Sequence, residues 1–215
     1  MPDLCVEDGQ TLLFIGDSIT DCGRRDSAPP LGDGYVALVT EMITALYPDR
    51  EIHYMNKGIG GNRVTDLRER WTDDVTSNAP DWLSVMIGIN DLHSHLGDPE
   101  QGVGPELFSK CYDEILGRAA GSGDTKGMVL LEPFYISVDR QGDAFRSQVL
   151  ALLPEYIAVV HAMAEKYDAR LVATQEAFQE QLRYRDADTF CAEPVHPYRS
   201  GHIIIATELL KALED

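Results

Sequence analysis

The chain has 215 residues, 44% hydrophobic and 25% charged, the proportions of a soluble globular protein long enough to bury one full core. With 36 acidic residues against 18 basic ones its formal net charge is −18. Such a surface repels phosphate backbones and anionic bilayers, so no nucleic-acid or membrane partner is expected and a neutral or cationic small molecule fits better. Its basic residues lean to arginine, and an acidic, lysine-poor surface suits either a salty environment or an ordinary acidic enzyme.

The opening MPDLCVEDGQ shows no basic segment leading into an apolar run. No stretch reads as the ~20 apolar residues of a membrane span. Cys5, Cys22, Cys111 and Cys191 lack metal-type spacing and are expected to be reduced thiols, which makes the reading cytoplasmic.

In chain order, apolar β-rich runs predict strands at Thr11–Ile15, Glu51–Asn56, Trp82–Ile87, Gly127–Leu131 and Arg170–Ala173. Most are continuous rather than alternating, as in a parallel sheet covered on both faces. Helical patterns fall between and after them, at Gly34–Leu46, about Val64–Asn78, Pro105–Ala120, Phe145–Lys166, Gln175–Arg183 and Ser200–Leu213. Segments 97–104, 121–126 and 137–144 read as loops. This alternation predicts one α/β domain over residues 1–215, a three-layer α/β/α sandwich around about five parallel strands.

Open sheets of this kind bind ligands beyond the carboxyl ends of their strands. There the first strand delivers Gly16-Asp17-Ser18, the second a turn containing Gly58, Gly60 and Gly61, and the third Gly88-Ile89-Asn90-Asp91. The last loop reads CAEPVHPYRSGH and carries Glu193 and His196. Ser18 on its own would serve as a helix N-cap. Together with a histidine and candidate donors it becomes a nucleophile with a general base and an oxyanion hole.

These four blocks, in this order across nearly the whole chain, resemble those of the SGNH (GDSL-type) hydrolases. The resemblance implies a flavodoxin-like SGNH fold and a serine esterase needing no cofactor or metal. It implies Ser18 as nucleophile, His196 as base, and Ser18, Gly61 and Asn90 as the oxyanion hole. The segments GDSITDCGR, NKGIGGNRVTDLRERW and PDWLSVMIGIND are similar to the acetylxylan-esterase branch. That branch implies O-acetylated xylo-oligosaccharides or related carbohydrates as substrates.

Two departures stand out. The family has Asp three residues before the histidine, where this chain has Glu193, so the acid is Glu193, a backbone carbonyl or a neighbour such as Asp188. The relatives carry Trp where this chain has His93.

Asp17, Arg63, His93 and Tyr135 are candidate substrate-binding residues, Asp17 with the alternative of fixing its loop. Trp71, Phe134 and Tyr135 would suit either a sugar-stacking wall or the core. His53, His161 and His202 read as structural. A short-chain thioesterase or lysophospholipase on the same fold, or an inactive carbohydrate-binding relative, are the alternatives. Homo-oligomerisation is expected from its prevalence among soluble enzymes.

Overall fold

A computed structural model describes residues 2–139 and 144–215. Its centre is a five-stranded parallel sheet made of β1 (Thr11–Gly16), β2 (His53–Asn56), β3 (Trp82–Met86), β4 (Gly127–Leu131) and β5 (Arg170–Val172). The spatial order is β2-β1-β3-β4-β5. From β1 the chain winds outward to β2, then crosses back to place β3 on the other flank. The carboxyl end of β1 therefore lies at the topological switch point, where a crevice opens. Every residue from Leu12 to Ile15 is fully buried, which is why this strand is apolar on both faces.

Eight α-helices are described: α1 (Ser18–Asp21), α2 (Tyr35–Leu46), α3 (Val64–Asp74), α4 (Ile89–Gly97), α5 (Pro105–Ser122), α6 (Ala144–Lys166), α7 (Thr174–Gln181) and α8 (Arg199–Leu213). Helix α8 packs against α2 and α7 on one side of the sheet; α5 packs against α3 and α6, and α4 against α6, on the other. The predicted three-layer sandwich is thus the observed architecture. Helix α5 starts with Pro105 at its first turn and stops at left-handed Gly123, the usual asymmetry of helix ends.

Three local expectations change. Residues 89–97 form α4, a helix too short to declare itself by periodicity. The last loop contains a small antiparallel hairpin, β6 (Cys191–Glu193) with β7 (His196–Pro197). Helix α6 is long and apolar enough, by length and composition, to cross a membrane. It buries Val149, Leu153, Tyr156 and Val160 in the core and alternates them with exposed residues, the pattern of a core helix. The loop expected at 137–144 falls at 140–143 outside the described residues.

Candidate active site

Ser18 is the first residue of α1, immediately beyond β1. The helix cap is its neighbour, for the Asp17 carboxylate accepts the Ile19 N–H at 3.0 Å. That leaves the serine hydroxyl free, and its Oγ lies 2.8 Å from His196 Nε2. The Ser18 N–H, at the start of a helix, has no intrahelical partner.

The two ends of the β6–β7 hairpin, Glu193 and His196, are cross-strand partners. The extra methylene of glutamate lets its carboxylate fold back over its own turn. One oxygen, Oε2, accepts the Val195 N–H at 2.9 Å; the other, Oε1, accepts the His196 N–H at 2.8 Å and bonds to His196 Nδ1. Burial alone would raise the Glu193 pKa, but the Val195 N–H, the His196 ring and the His196 N–H together hold it below the ordinary carboxylate range. With Nδ1 engaged by the carboxylate, the imidazole presents Nε2 to the serine. Asp188 makes no such contact; it sits in a short 3₁₀ turn before the hairpin.

The β2–α3 connection arches over the serine: a Cβ placed on Gly60 would stand 3.9 Å from that of Ser18. Gly61 has φ +79°, a left-handed conformation that glycine adopts without penalty. Asn90, in the first turn of α4, donates one amide hydrogen to the Asn62 carbonyl at 3.1 Å and keeps the other. Gly88, with φ +133°, makes the sharp entry into α4, and a Cβ there would press on Pro133 at 3.1 Å. The same helix start carries Asp91, whose Oδ1 accepts the Val64 N–H at 2.9 Å and so joins α4 to α3. Burial, with the nearby Asp17 charge, pushes Asp91 up to about 7; burial likewise pushes Asp17 up to about 6.

The four residues expected to contact substrate divide into two groups. Asp17 and Tyr135 are almost wholly buried: the first spends its carboxylate on the α1 cap, and the second donates its backbone N–H to Gln175. Arg63 precedes α3 and pairs with Asp66 at 3.6 Å, partly exposed. His93 is half-buried, edge-on to Tyr135 at 6.1 Å between ring centroids and tilted against Phe145 at 5.3 Å. Burial holds its pKa down although the Glu193 charge pulls it up, which puts it beside the hairpin. Trp71 and Phe134 are core residues. The exposed ring of Phe145 against His93 was not legible in the sequence: nothing in a helix-forming run distinguishes it.

His202 is buried and accepts the Tyr35 N–H on Nδ1 at 3.2 Å, with Nε2 3.4 Å from Cys22 Sγ. His161 pairs with the buried Glu132 at 2.5 Å.

Residues 14–204 match the model of the GDSL-like Lipase/Acylhydrolase family. An acetylxylan esterase of Geobacillus stearothermophilus is 38% identical over 213 residues, 95% of this chain and 94% of that protein. The crystal structure of Axe2, an acetylxylan esterase from the same organism, superposes with a TM-score of 0.87 at 37% identity, covering 98% of this chain and 96% of that one. LAE5, an α/β hydrolase enzyme from the metagenome of Lake Arreo, superposes at 0.88 with 34% identity over 98% of both chains. Variants of Axe2 in which a serine, an aspartate or a histidine becomes alanine are catalytic mutants of that enzyme.

Proposed function

The chain belongs to the GDSL-like lipase/acylhydrolase family and is a carboxylic ester hydrolase, and we propose that it removes O-acetyl groups from xylo-oligosaccharides through an acyl-enzyme on Ser18. The observation that carries this reading is the unbroken relay from Ser18 Oγ to His196 Nε2 at 2.8 Å and from His196 Nδ1 to Glu193.

Attack begins when Ser18 Oγ forms a bond to the acetyl carbon and its proton passes to His196 Nε2. The carbonyl π pair moves onto oxygen, where the Ser18 N–H, the Gly61 N–H and the free amide hydrogen of Asn90 receive it. Donors fixed before the reaction stabilise this charge without reorganising, which is why they sit on strand ends and tight turns. Glu193 stabilises the imidazolium that forms meanwhile. Collapse of the tetrahedral adduct breaks the bond to the sugar oxygen, which takes the proton from Nε2. Water then repeats the sequence on the acyl-serine and releases acetate.

A neutral sugar approaches a chain of net charge −18 without repulsion, whereas acetate leaves it as a like charge. The acetyl preference is supported by the 38% identity to an acetylxylan esterase over almost the full length. We match the aspartate among the Axe2 catalytic mutants to Glu193, which is one methylene longer and reaches His196 Nδ1 by folding back over its own turn.

The test is hydrolysis of p-nitrophenyl acetate, p-nitrophenyl palmitate and an acetylated xylo-oligosaccharide by the parent and by Ser18→Ala. We expect acetate ester and sugar to be cleaved, palmitate to be poor, and the variant to lose at least ~10³-fold in kcat. Preference for palmitate would overturn the sugar-deacetylase reading, and an active Ser18→Ala would overturn the nucleophile assignment.

A further inference from the structure

We propose that Arg70 is a positioning residue for the reaction, a clamp that holds the nucleophile's strand and both ends of the oxyanion loop in one frame. The inference rests on the assignment of Ser18, Gly61 and Asn90 made above. Arg70 lies on α3, never touches the reacting atoms, and has a side chain only 16% exposed. Its guanidinium donates from Nη2 to the Gly16 carbonyl at 3.2 Å, two residues before Ser18. From Nη1 it donates to the Lys57 carbonyl at 2.8 Å, where the loop leaves β2. From Nε it donates to Asn62 Oδ1 at 2.8 Å, one residue beyond Gly61. Asn62 in turn offers its own carbonyl to the Asn90 amide. One side chain thus reaches the mounting of every oxyanion donor.

The charge this requires is balanced locally. Asp74, one turn further along α3, accepts from Arg70 Nη1 at 2.5 Å and stands 3.6 Å from Lys57 Nζ. A buried ion pair adds little net stability; what an arginine adds is geometry, a rigid planar fork with donors pointing three ways. Lysine, a point charge on a flexible stem, cannot span three acceptors on separate segments.

The molecule supplies its own control. Arg50 is equally enclosed, with a side chain 18% exposed, and donates to the Leu4 and Val6 carbonyls at 3.2 and 3.0 Å while pairing with Asp3 at 2.5 Å. It performs the same kind of backbone clamping near the chain's first residues, far from Ser18. Arg50 therefore serves as the structural arginine against which Arg70 is compared.

The experiment compares Arg70→Lys, Arg50→Lys and Asn62→Ala with the parent. It measures kcat and KM for p-nitrophenyl acetate, the Ki of a trifluoromethyl ketone that adds to the serine as a tetrahedral oxyanion, and Tm. For Arg70→Lys we expect kcat to fall roughly 10- to 100-fold with KM changed less than about threefold, as for donors displaced by a fraction of an ångström. The Ki should rise in proportion to the loss in kcat/KM. Arg50→Lys should lower Tm by a similar amount and leave kcat unchanged. Asn62→Ala, which removes only the Nε acceptor, should show a smaller loss of the same kind, and it carries the test if Arg70→Lys does not fold. The proposal is overturned if Arg70→Lys, or Asn62→Ala in its place, loses Tm with kcat and Ki intact, or if Arg50→Lys loses kcat equally. An active Ser18→Ala would instead strike the nucleophile assignment, whatever Arg70 does.

Discussion

The two halves of the site are built on opposite plans. Ser18, Gly61 and Asn90 stand at the ends of three adjacent strands, and the loop between β2 and α3 is cross-linked on every side. Asn56 binds the Thr20 and Leu31 carbonyls and the Gly58 N–H; Asp21 accepts the Gly60 N–H; Arg24 donates to the Gly58 carbonyl. Glu193 and His196 ride instead on a two-stranded hairpin with half-exposed side chains. Their order comes from within: one carboxylate grips its own turn and its own histidine. A bond from the Ile136 N–H to the Pro194 carbonyl ties this unit to the segment after β4. The difference suits the roles proposed for the two halves. Donors to a developing oxyanion work by not moving, whereas the base must keep one tautomer while it trades a proton between serine and leaving alcohol.

The sharpest way to break the contrast is at the hairpin. Glu193→Gln keeps the shape of the turn but leaves His196 free to adopt the wrong tautomer, and kcat should fall roughly 10³- to 10⁴-fold. Glu193→Asp keeps the charge but shortens the reach, with an expected loss of about tenfold. Near-normal turnover of Glu193→Gln would make the hairpin acid a structural brace only. On the cross-linked side, Asn90→Ala removes one oxyanion donor and its tie to Asn62, with an expected kcat loss of roughly 10²- to 10³-fold and little change in KM. A loss that appears wholly in KM would argue that Asn90 binds substrate rather than the transition state.

The smallest effect concerns His202, which packs against Tyr35 and Cys22. Burial holds its pKa down at about 4, against about 6.5 in an unfolded chain. Above pH 6.5 both states are neutral and the residue contributes no pH dependence. From 6.5 down to 4 the unfolded chain takes up a proton that the folded one refuses, so stability falls with pH, by roughly 3 kcal/mol over that window. Asp17 and Asp91 act in the opposite direction: their raised values favour the folded state as pH drops from about 7 toward 4. The comparison of parent with His202→Gln isolates the histidine. Urea titrations at pH 7.5 and 4.5 should show the variant losing less stability on acidification; an equal loss in both would place the titration elsewhere.

How much of this could be read from residues alone follows the same division. The strand ends offered a serine, a glycine-rich turn and an asparagine, and the family resemblance pointed within them to Ser18, Gly61 and Asn90. Strands β1, β3 and β4 were legible because burial on both faces leaves continuous apolar runs. Helix α4 and the β6–β7 hairpin were not, since nine residues and a two-residue strand are too short for any hydrophobic period. Residue type did not decide between Asp17 and Ser18 for the α1 cap, because both side chains cap helices well. Likewise Arg70 is one of two arginines in α3, and only the arrangement of three carbonyl and amide oxygens around it gives it a distinct part.

The order of parts along the chain has a consequence for biosynthesis. Ser18 and His196 are 178 positions apart, with the serine, the glycine turn and the asparagine all emerging from the ribosome long before the base. A nascent chain can assemble β1, β2 and β3 and still be chemically silent, for a serine without its imidazole is a poor nucleophile. On the proposed assignment of His196 as base, hydrolysis needs the β6–β7 hairpin in place, so cleavage of an activated acetate ester reports that this hairpin has docked.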